Sequence, residues 1–408
     1  MSHRVRAIVV VQLAFCFSLV TGHSSLDTVE AARVEQREGL PVVYLEGSPY
    51  EIGKQHGELL NTSVRQSVGQ LLDYFRRYPK VPLVGTWLAN AWLDRSWSQA
   101  RPYIPSDDLE ELRGLSDGSG VPLADLRRLH AIPDRTYACS SLAVWGKATA
   151  DGRLIHTRNL DWNIRAGIQR QAVVFVVRPA GKHAFVNLGW AGFIGVLSGI
   201  NDQGISIGQI GAETADLSYR GLPMAFLMRR VLERSADLPG AVAVLKEGPR
   251  TVGVNYLIAD AKVPQAVAVE TTRHHLAVFR DDDPNERAVG YARPIADAVF
   301  RADTAIDPEI RERQFASGGD PKRRGLEPPR GSAYAIRYLK QASEISRRYG
   351  RLDAEQAKEI AALVAMDSNV QSVIFAWPDL WVANAEGVTP AARTTYHRFN
   401  ARALLTPR

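Results

Sequence analysis

Ala138-Cys139-Ser140-Ser141-Leu142-Ala143-Val144-Trp145-Gly146, and after it Asp151-Gly152-Arg153-Leu154-Ile155-His156-Thr157-Arg158-Asn159-Leu160-Asp161-Trp162, decide how this chain is read. The first run has strand character and opens on a cysteine. Asp151-Gly152 is a hairpin signal, and the second run ends in Arg-Asn-Leu-Asp. Pairing the two brings a thiol, a guanidinium and a carboxylate to one edge of a sheet. A thiol is a useful nucleophile only where part of it is thiolate or a base stands beside it. None of His156, His183, His274, His275 or His397 lies in a Cys–His pattern of the papain kind. A different base appears if the bond before Cys139 is cut. The freed α-amine, with an ordinary pKa of about 7.7–8.0, suits general-base work near neutrality.

Outward from this stretch the texture changes twice. Upstream, Ser48-Pro49-Tyr50-Glu51 reads as a capped helix start, and apolar residues recur at helical spacing as far as Phe75. Gly53 and Gly57 in that helix leave room for a second backbone, and His56 reads as a buried hydrogen-bonding group. Residues 85–136 continue as helical pieces. Downstream, strands are expected at 140–146, 153–158, 172–178, 183–189, 193–199, 204–210, 254–260, 265–271 and 275–280. A helical insert lies between 210 and 254. An exposed Gly/Pro/basic loop at 317–332, two helices and two short strands complete the chain. Helices, then antiparallel-looking strands, then helices predict an α+β layered sandwich.

The chain has 408 residues, 45% of them hydrophobic and 23% charged, enough for a sizeable core. Its net charge is +6, without a Lys/Arg run long enough for a nucleic-acid surface. Residues 1–22 have a basic start with Arg4 and Arg6, an apolar run and small residues near Gly22. This pattern predicts a secretory signal peptide, so the protein is expected to be exported, periplasmic or secreted, with no stable membrane span after signal removal. Of the two cysteines, Cys16 leaves with the signal and Cys139 remains alone. A lone thiol in an oxidising compartment is either buried or used. No H-E-x-x-H, zinc-spaced Cys/His pair or P-loop is present, so neither metal nor cofactor is expected.

The combination of Gly47-Ser-Pro-Tyr-Glu-Ile-Gly-Lys-Gln-His-Gly57, Cys139-Ser-Ser-Leu-Ala-Val-Trp-Gly146, Asp151–Trp162 and Gly199-Ile-Asn-Asp-Gln-Gly204 resembles the acyl-coenzyme A:6-aminopenicillanate acyltransferase family. That family is also called the C45 peptidase group and belongs to the N-terminal-nucleophile (Ntn) hydrolases. The resemblance covers about residues 41–400, and its Cys-Ser-Ser…Arg-Asn-Leu-Asp-Trp part is the specific one. It implies an αββα four-layer sandwich, self-cleavage between Ala138 and Cys139, and amide chemistry through a thioester. A helix-rich segment, 23–138, would become an alpha chain, and 139–408 a catalytic beta chain.

By the same resemblance Cys139 is the nucleophile, Arg158 stabilises its thiolate, and Asp161 holds its α-ammonium. Asn201 either closes a turn by the pocket or is a turn residue only. An oxyanion hole needs backbone N–H groups and a side-chain donor, which the strand end at Gln209–Gly211 is placed to supply. Where relatives carry Thr-Asn-His this chain has Arg301-Ala302-Asp303-Thr304, and an ionised Asp cannot donate to an oxyanion. Either the donor lies elsewhere, Asn255 being one candidate, or Asp303 is neutral or binds a cationic substrate. Trp162, Trp190 and Phe193 point to an apolar acyl pocket or to plain core. The expected function is hydrolysis of, or acyl transfer from, a small linear amide, an N-acyl amine or aminoacyl amide. Hydrolysis is favoured because acyl-coenzyme A is normally absent outside the cytoplasm. The alternatives are a phospholipase B-like lipid hydrolase and a non-catalytic exported binding protein of the same fold.

Overall fold

The structure, a computed structural model, describes residues 32–77, 85–132, 138–287, 289–317 and 333–407. The signal-like segment, the residues just before Ala138 and nearly all of the 317–332 loop lie outside them. The strands are β1 (Arg33–Arg37), β2 (Leu40–Gly47), β3 (Ala138–Gly146), β4 (Gly152–Asp161), β5 (Ala172–Pro179), β6 (Phe185–Trp190), β7 (Ser198–Asn201), β8 (Ile205–Gly211), β9 (Val254–Asp260), β10 (Gln265–Thr271), β11 (Leu276–Phe279), β12 (Ala298–Arg301), β13 (Asn369–Ala376), β14 (Asp379–Asn384) and β15 (His397–Asn400). The helices are α1 (Pro49–Leu59), α2 (Asn61–Arg76), α3 (Gly85–Ala100), α4 (Ser106–Ser119), α5 (Leu123–His130), α6 (Met224–Arg234), α7 (Leu238–Glu247), α8 (Pro284–Arg287), α9 (Pro308–Ser317), α10 (Ala333–Arg348), α11 (Ala354–Val364) and α12 (Ala401–Leu405).

Two sheets face each other. One has nine strands in the order β1-β2-β5-β6-β7-β8-β9-β10-β11, and the other six in the order β12-β3-β4-β13-β14-β15. All neighbouring pairs are antiparallel except β2 with β5. Strands β3 and β4 pack across onto β8 and β9, while α1, α6 and α7 cover the outside of the larger sheet and α10 and α11 that of the smaller. This is the expected αββα sandwich. Strands covered on both faces are buried almost throughout, as in β8 and β9.

The helix start at Ser48 forms as expected, with the full capping box between Ser48 and Glu51. The periodic stretch to Phe75 is two helices rather than one, because Leu60 leaves helical geometry at φ −117°, ψ 26°. The break lets each half bury its own stripe: Ile52, Gly53, His56 and Gly57 in α1, then Val64, Val68, Leu71 and Leu72 in α2. Gly53 and Gly57 do meet a second backbone, that of α4, which contributes Gly114 and Gly118. A Cβ on Gly53 would lie 1.9 Å from the Glu111 carbonyl oxygen, and one on Gly114 would lie 2.0 Å from that of Tyr50. Gly114→Ala is therefore expected to force the helices apart and cost about 1–3 kcal/mol or somewhat more. Chemical denaturation checks this, and an unchanged midpoint would contradict the close packing.

The strand expected at 193–199 is not one. Regular structure begins only at Ser198, and the loop between β6 and β7 satisfies its backbone with side chains instead of a ladder. Gly192 N–H donates to His56 Nε2 at 2.9 Å, and Ile194 N–H donates to His130 Nε2 at 3.0 Å. The Ile194 carbonyl accepts from Arg229 Nη1, and that of Gly195 from Asn187 Nδ2. Both histidines act as acceptors and must be neutral. Burial holds His56 down at about 3 and His130 at about 4.

These histidines set an acid limit. Once unfolded, each takes a proton near pH 6.5, so their contribution is complete above that pH and lost as pH falls towards 4 and 3. His130→Gln is expected to narrow the gap between stability at pH 6.5 and at pH 4. Thermal unfolding of both proteins across that range tests it, and parallel curves would count against a neutral His130.

Candidate active site

Strands β3 and β4 pair in the register that sets the site: Ala138 opposite Asp161, Cys139 opposite Leu160, and Ser141 opposite Arg158. Cys139 is fully buried at the start of β3, facing the larger sheet. Arg158 Nη2 lies 3.4 Å from its Sγ, and Gln209 Nε2 of β8 lies 3.6 Å from it. The Asp161 backbone N–H also donates to the sulfur. Arg158 crosses the space between the sheets because Gly208 sits opposite it; a Cβ there would come within 2.7 Å of Arg158 Cγ. Burial pushes the thiol up to about 12 although Arg158 pulls the other way, so desolvation outweighs the nearby cation. At neutral pH such a thiol needs a local base to react.

The nitrogen of Cys139 has its own partner. Its N–H donates to Asp303 Oδ1 at 2.5 Å. The guanidinium of Arg337 on α10 then joins two carboxylates, with Nη1 2.8 Å from Asp303 Oδ2 and Nη2 2.5 Å from Asp161 Oδ2. This corrects the expected assignment: the carboxylate on the Cys139 nitrogen is Asp303, while the Asp161 side chain engages Arg337. Burial raises both carboxyl groups against the pull of Arg337, Asp303 to about 7.

The short turn bearing Asp303 is fixed from several sides. Asn255 Nδ2 lies 3.5 Å from the Ala302 carbonyl oxygen and 3.4 Å from that of Thr304, and Gln314 Nε2 donates to the Asp303 carbonyl. Buried Arg301 ties Glu270 and Glu286 together, and Glu270 accepts the N–H groups of Ile306 and Asp307. Asn255 thus spends its amide on the turn. Asn201 is placed in a turn as well: its oxygen accepts from the N–H groups of Gln203 and Ile205, and its Nδ2 donates to the Leu232 and Ser235 carbonyls. Gly211 ends β8 opposite Val254, two residues beyond Gln209.

Among the described residues no histidine joins this group. His156 bridges the sheets between Ser141 Oγ and Ser206 Oγ, and burial lowers it to about 3. Among the described residues no cluster of three or more His, Cys, Asp or Glu side chains is arranged to hold a metal ion. Trp162, Trp190 and Phe193 come together with Leu71, Leu129 and Leu197 around a narrow apolar pocket. Leu197 also accepts, through its carbonyl, the backbone N–H of Gln209. The pocket wall is therefore one hydrogen bond away from the residue beside the sulfur.

Arg337 escaped the sequence reading. The signal was there: α10 buries Tyr338, Ala342 and Ile345, and on that same face stand two polar residues one turn apart, Arg337 and Gln341. A buried arginine in such a stripe needs an anion.

Two facing sheets between helical layers, with a cysteine at the start of β3, are the arrangement expected of the N-terminal-nucleophile fold. Residues 148–289 match the model of the family described as acyl-coenzyme A:6-aminopenicillanic acid acyl-transferase. Protein dcd1B of Dictyostelium discoideum is 27% identical over 62% of this chain and 54% of its own length. N-acylethanolamine-hydrolyzing acid amidase of Rattus norvegicus is 22% identical over 50% of this chain and 55% of its own. The chain thus spans about half the length of these relatives. A solved structure, the Caenorhabditis elegans ortholog of that amidase, aligns with a TM-score of 0.42 and 16% identity over 58% of this chain and 92% of the other.

Proposed function

We propose that the protein is an exported cysteine amidohydrolase that cuts itself between Ala138 and Cys139 and then hydrolyses linear amides through a thioester. The observation that carries this reading is the double placement of Cys139, its sulfur on Arg158 and its nitrogen on Asp303. Cleavage would divide the chain into an alpha part, 23–138, and a beta part, 139–408. In the cut protein the thiol attacks the substrate carbonyl carbon and its proton passes to the Cys139 α-amine. The amine passes that proton to the leaving nitrogen as the C–N bond breaks. Water, deprotonated by the same amine, then attacks the thioester, releasing the acid and restoring the thiol. Arg158 steadies the developing thiolate, and Gln209 Nε2 is a donor within reach of the oxygen on the attacked carbon.

Supporting an apolar acyl group are the pocket of Trp162, Trp190 and Phe193 and the similarity to the rat amidase that hydrolyses N-acylethanolamines. No helix of the described residues is long and apolar enough to cross a membrane. Incubating the purified protein with a panel of N-acyl amines, aminoacyl amides and lipid esters tests the reading. Amide turnover with an acyl group trapped on Cys139 is expected. Ester turnover alone would favour the phospholipase B-like alternative, and an inert, alkylation-resistant thiol the binding protein.

A further inference from the structure

Self-cleavage asks for a proton transfer that the cut enzyme's own base cannot perform. Before the cut, the Cys139 nitrogen is a peptide amide and has no basic lone pair. The thiol must lose a proton to attack the Ala138 carbonyl, and the departing nitrogen must gain one. A group is therefore needed that touches that nitrogen, lies near the sulfur three bonds away, and can hold a proton in between.

We propose that Asp303 is this proton carrier. Its carboxylate takes the Sγ proton as the bond from sulfur to the Ala138 carbonyl carbon forms. The resulting carboxylic acid gives that proton to the Cys139 nitrogen as the C–N bond breaks. The products are a thioester between Ala138 and Cys139 and a free α-amine, with Asp303 again a carboxylate. Water then hydrolyses the thioester, leaving a carboxylate at Ala138 and the thiol at Cys139. Asp303 stays behind as the counter-ion of the new ammonium group. The inference rests on the cleavage proposed above and extends it to a residue with a stated task.

The geometry supports this from every side. Asp303 Oδ1 is 2.5 Å from the nitrogen, and the turn that carries it is held by Asn255, Gln314 and the Arg301–Glu270 pair. The other charged groups facing Asp303 and the nucleophile are Asp161 and Arg158 from β4 and Arg337 from α10. Each has other work. Arg337 lies between the two carboxylates, Arg158 sits on the sulfur, and the Asp161 side chain is held by Arg337. One guanidinium shared by two buried carboxylates leaves room for one proton, and burial raises Asp303 to about 7, where both of its forms are populated near neutrality. The nearest buried histidine, His156, is tied to two serines and stays neutral.

The test follows cleavage of the full chain made by cell-free translation, by gel and intact mass, between pH 5 and 9. The wild-type chain is expected to cut faster as pH rises through about 7, where Asp303 becomes a carboxylate able to take the thiol proton. Asp303→Asn keeps an acceptor on the nitrogen but carries no proton, and its cleavage is expected to slow by about 10²-fold or more. What remains should lose the inflection near pH 7, and Asp303→Glu should restore part of the rate and the inflection. Thermal unfolding of the variants identifies a chain that failed to fold, in which case Asp303→Glu alone decides by its pH profile. Asp303→Asn cutting at the wild-type rate with the same profile overturns the inference while leaving cleavage intact. A wild-type chain that never cuts overturns the cleavage reading itself, with Cys139→Ala as the uncut control.

Discussion

Cys139→Ala is expected to leave one continuous chain and to lower amide turnover by on the order of 10⁶-fold, the scale on which loss of a covalent nucleophile acts. Both effects come from one atom. In the proposed mechanism the sulfur attacks both the internal peptide bond and the substrate, and among the described residues nothing nearby replaces it: Arg158, Gln209 and Arg337 are donors, and the carboxylates are bound up with Arg337 and the Cys139 nitrogen. Because the side chain is buried and small, the fold should survive the change. Gel analysis and steady-state rates check the prediction. A variant that still turns over amides at even a hundredth of the normal rate would mean that another group attacks.

The second large effect is expected far from the sulfur, at Arg229. This arginine is buried on α6 and binds Glu111 of α4 in two bonds of 2.8 and 2.6 Å, with Glu233 at 2.8 Å and Asp108 close by. Removing it in Arg229→Met strands three buried carboxylates, with Lys182 still paired to Glu233. A loss of about 3–5 kcal/mol of stability is expected at pH 7, as when one partner of a buried ion pair is deleted. Burial already raises Asp108, to about 7, and Glu111, so the stranded groups take up protons readily. The deficit should therefore shrink as pH falls towards 5. In the cut protein Glu111 and Arg229 would sit on different chains, and this pair would clamp them, with Arg229 also holding the Ile194 carbonyl in the pocket loop. Denaturant unfolding at the two pH values measures the effect. A deficit equal at both would place its origin in packing rather than charge.

Much of this was legible in the sequence because the relevant signals are local. The hairpin from Cys139 to Asp161 is written in alternation, a turn and a strand, and the pairing of Ser141 with Arg158 follows from it. The capped helix at Ser48 and the glycine pair in α1 are local too. What stayed hidden depends on contacts across the fold. The loop at 191–197 has the composition of a strand, but its hydrogen-bonding groups are claimed by His56, His130 and Arg229 from three helices. Likewise nothing within the Arg301–Thr304 turn reveals that Asp303 reaches the nitrogen of a residue more than 160 positions earlier. Arg337 is hidden for the same reason, since its meaning comes from a carboxylate at the end of β4 and another on the turn after β12.

The most direct test of the account is the mass and N-terminal sequence of the purified protein. It predicts two polypeptides held together, the second beginning with Cys139 and carrying an α-amine that amine-directed reagents find. A single polypeptide with the 138–139 bond whole that still hydrolyses amides would contradict it.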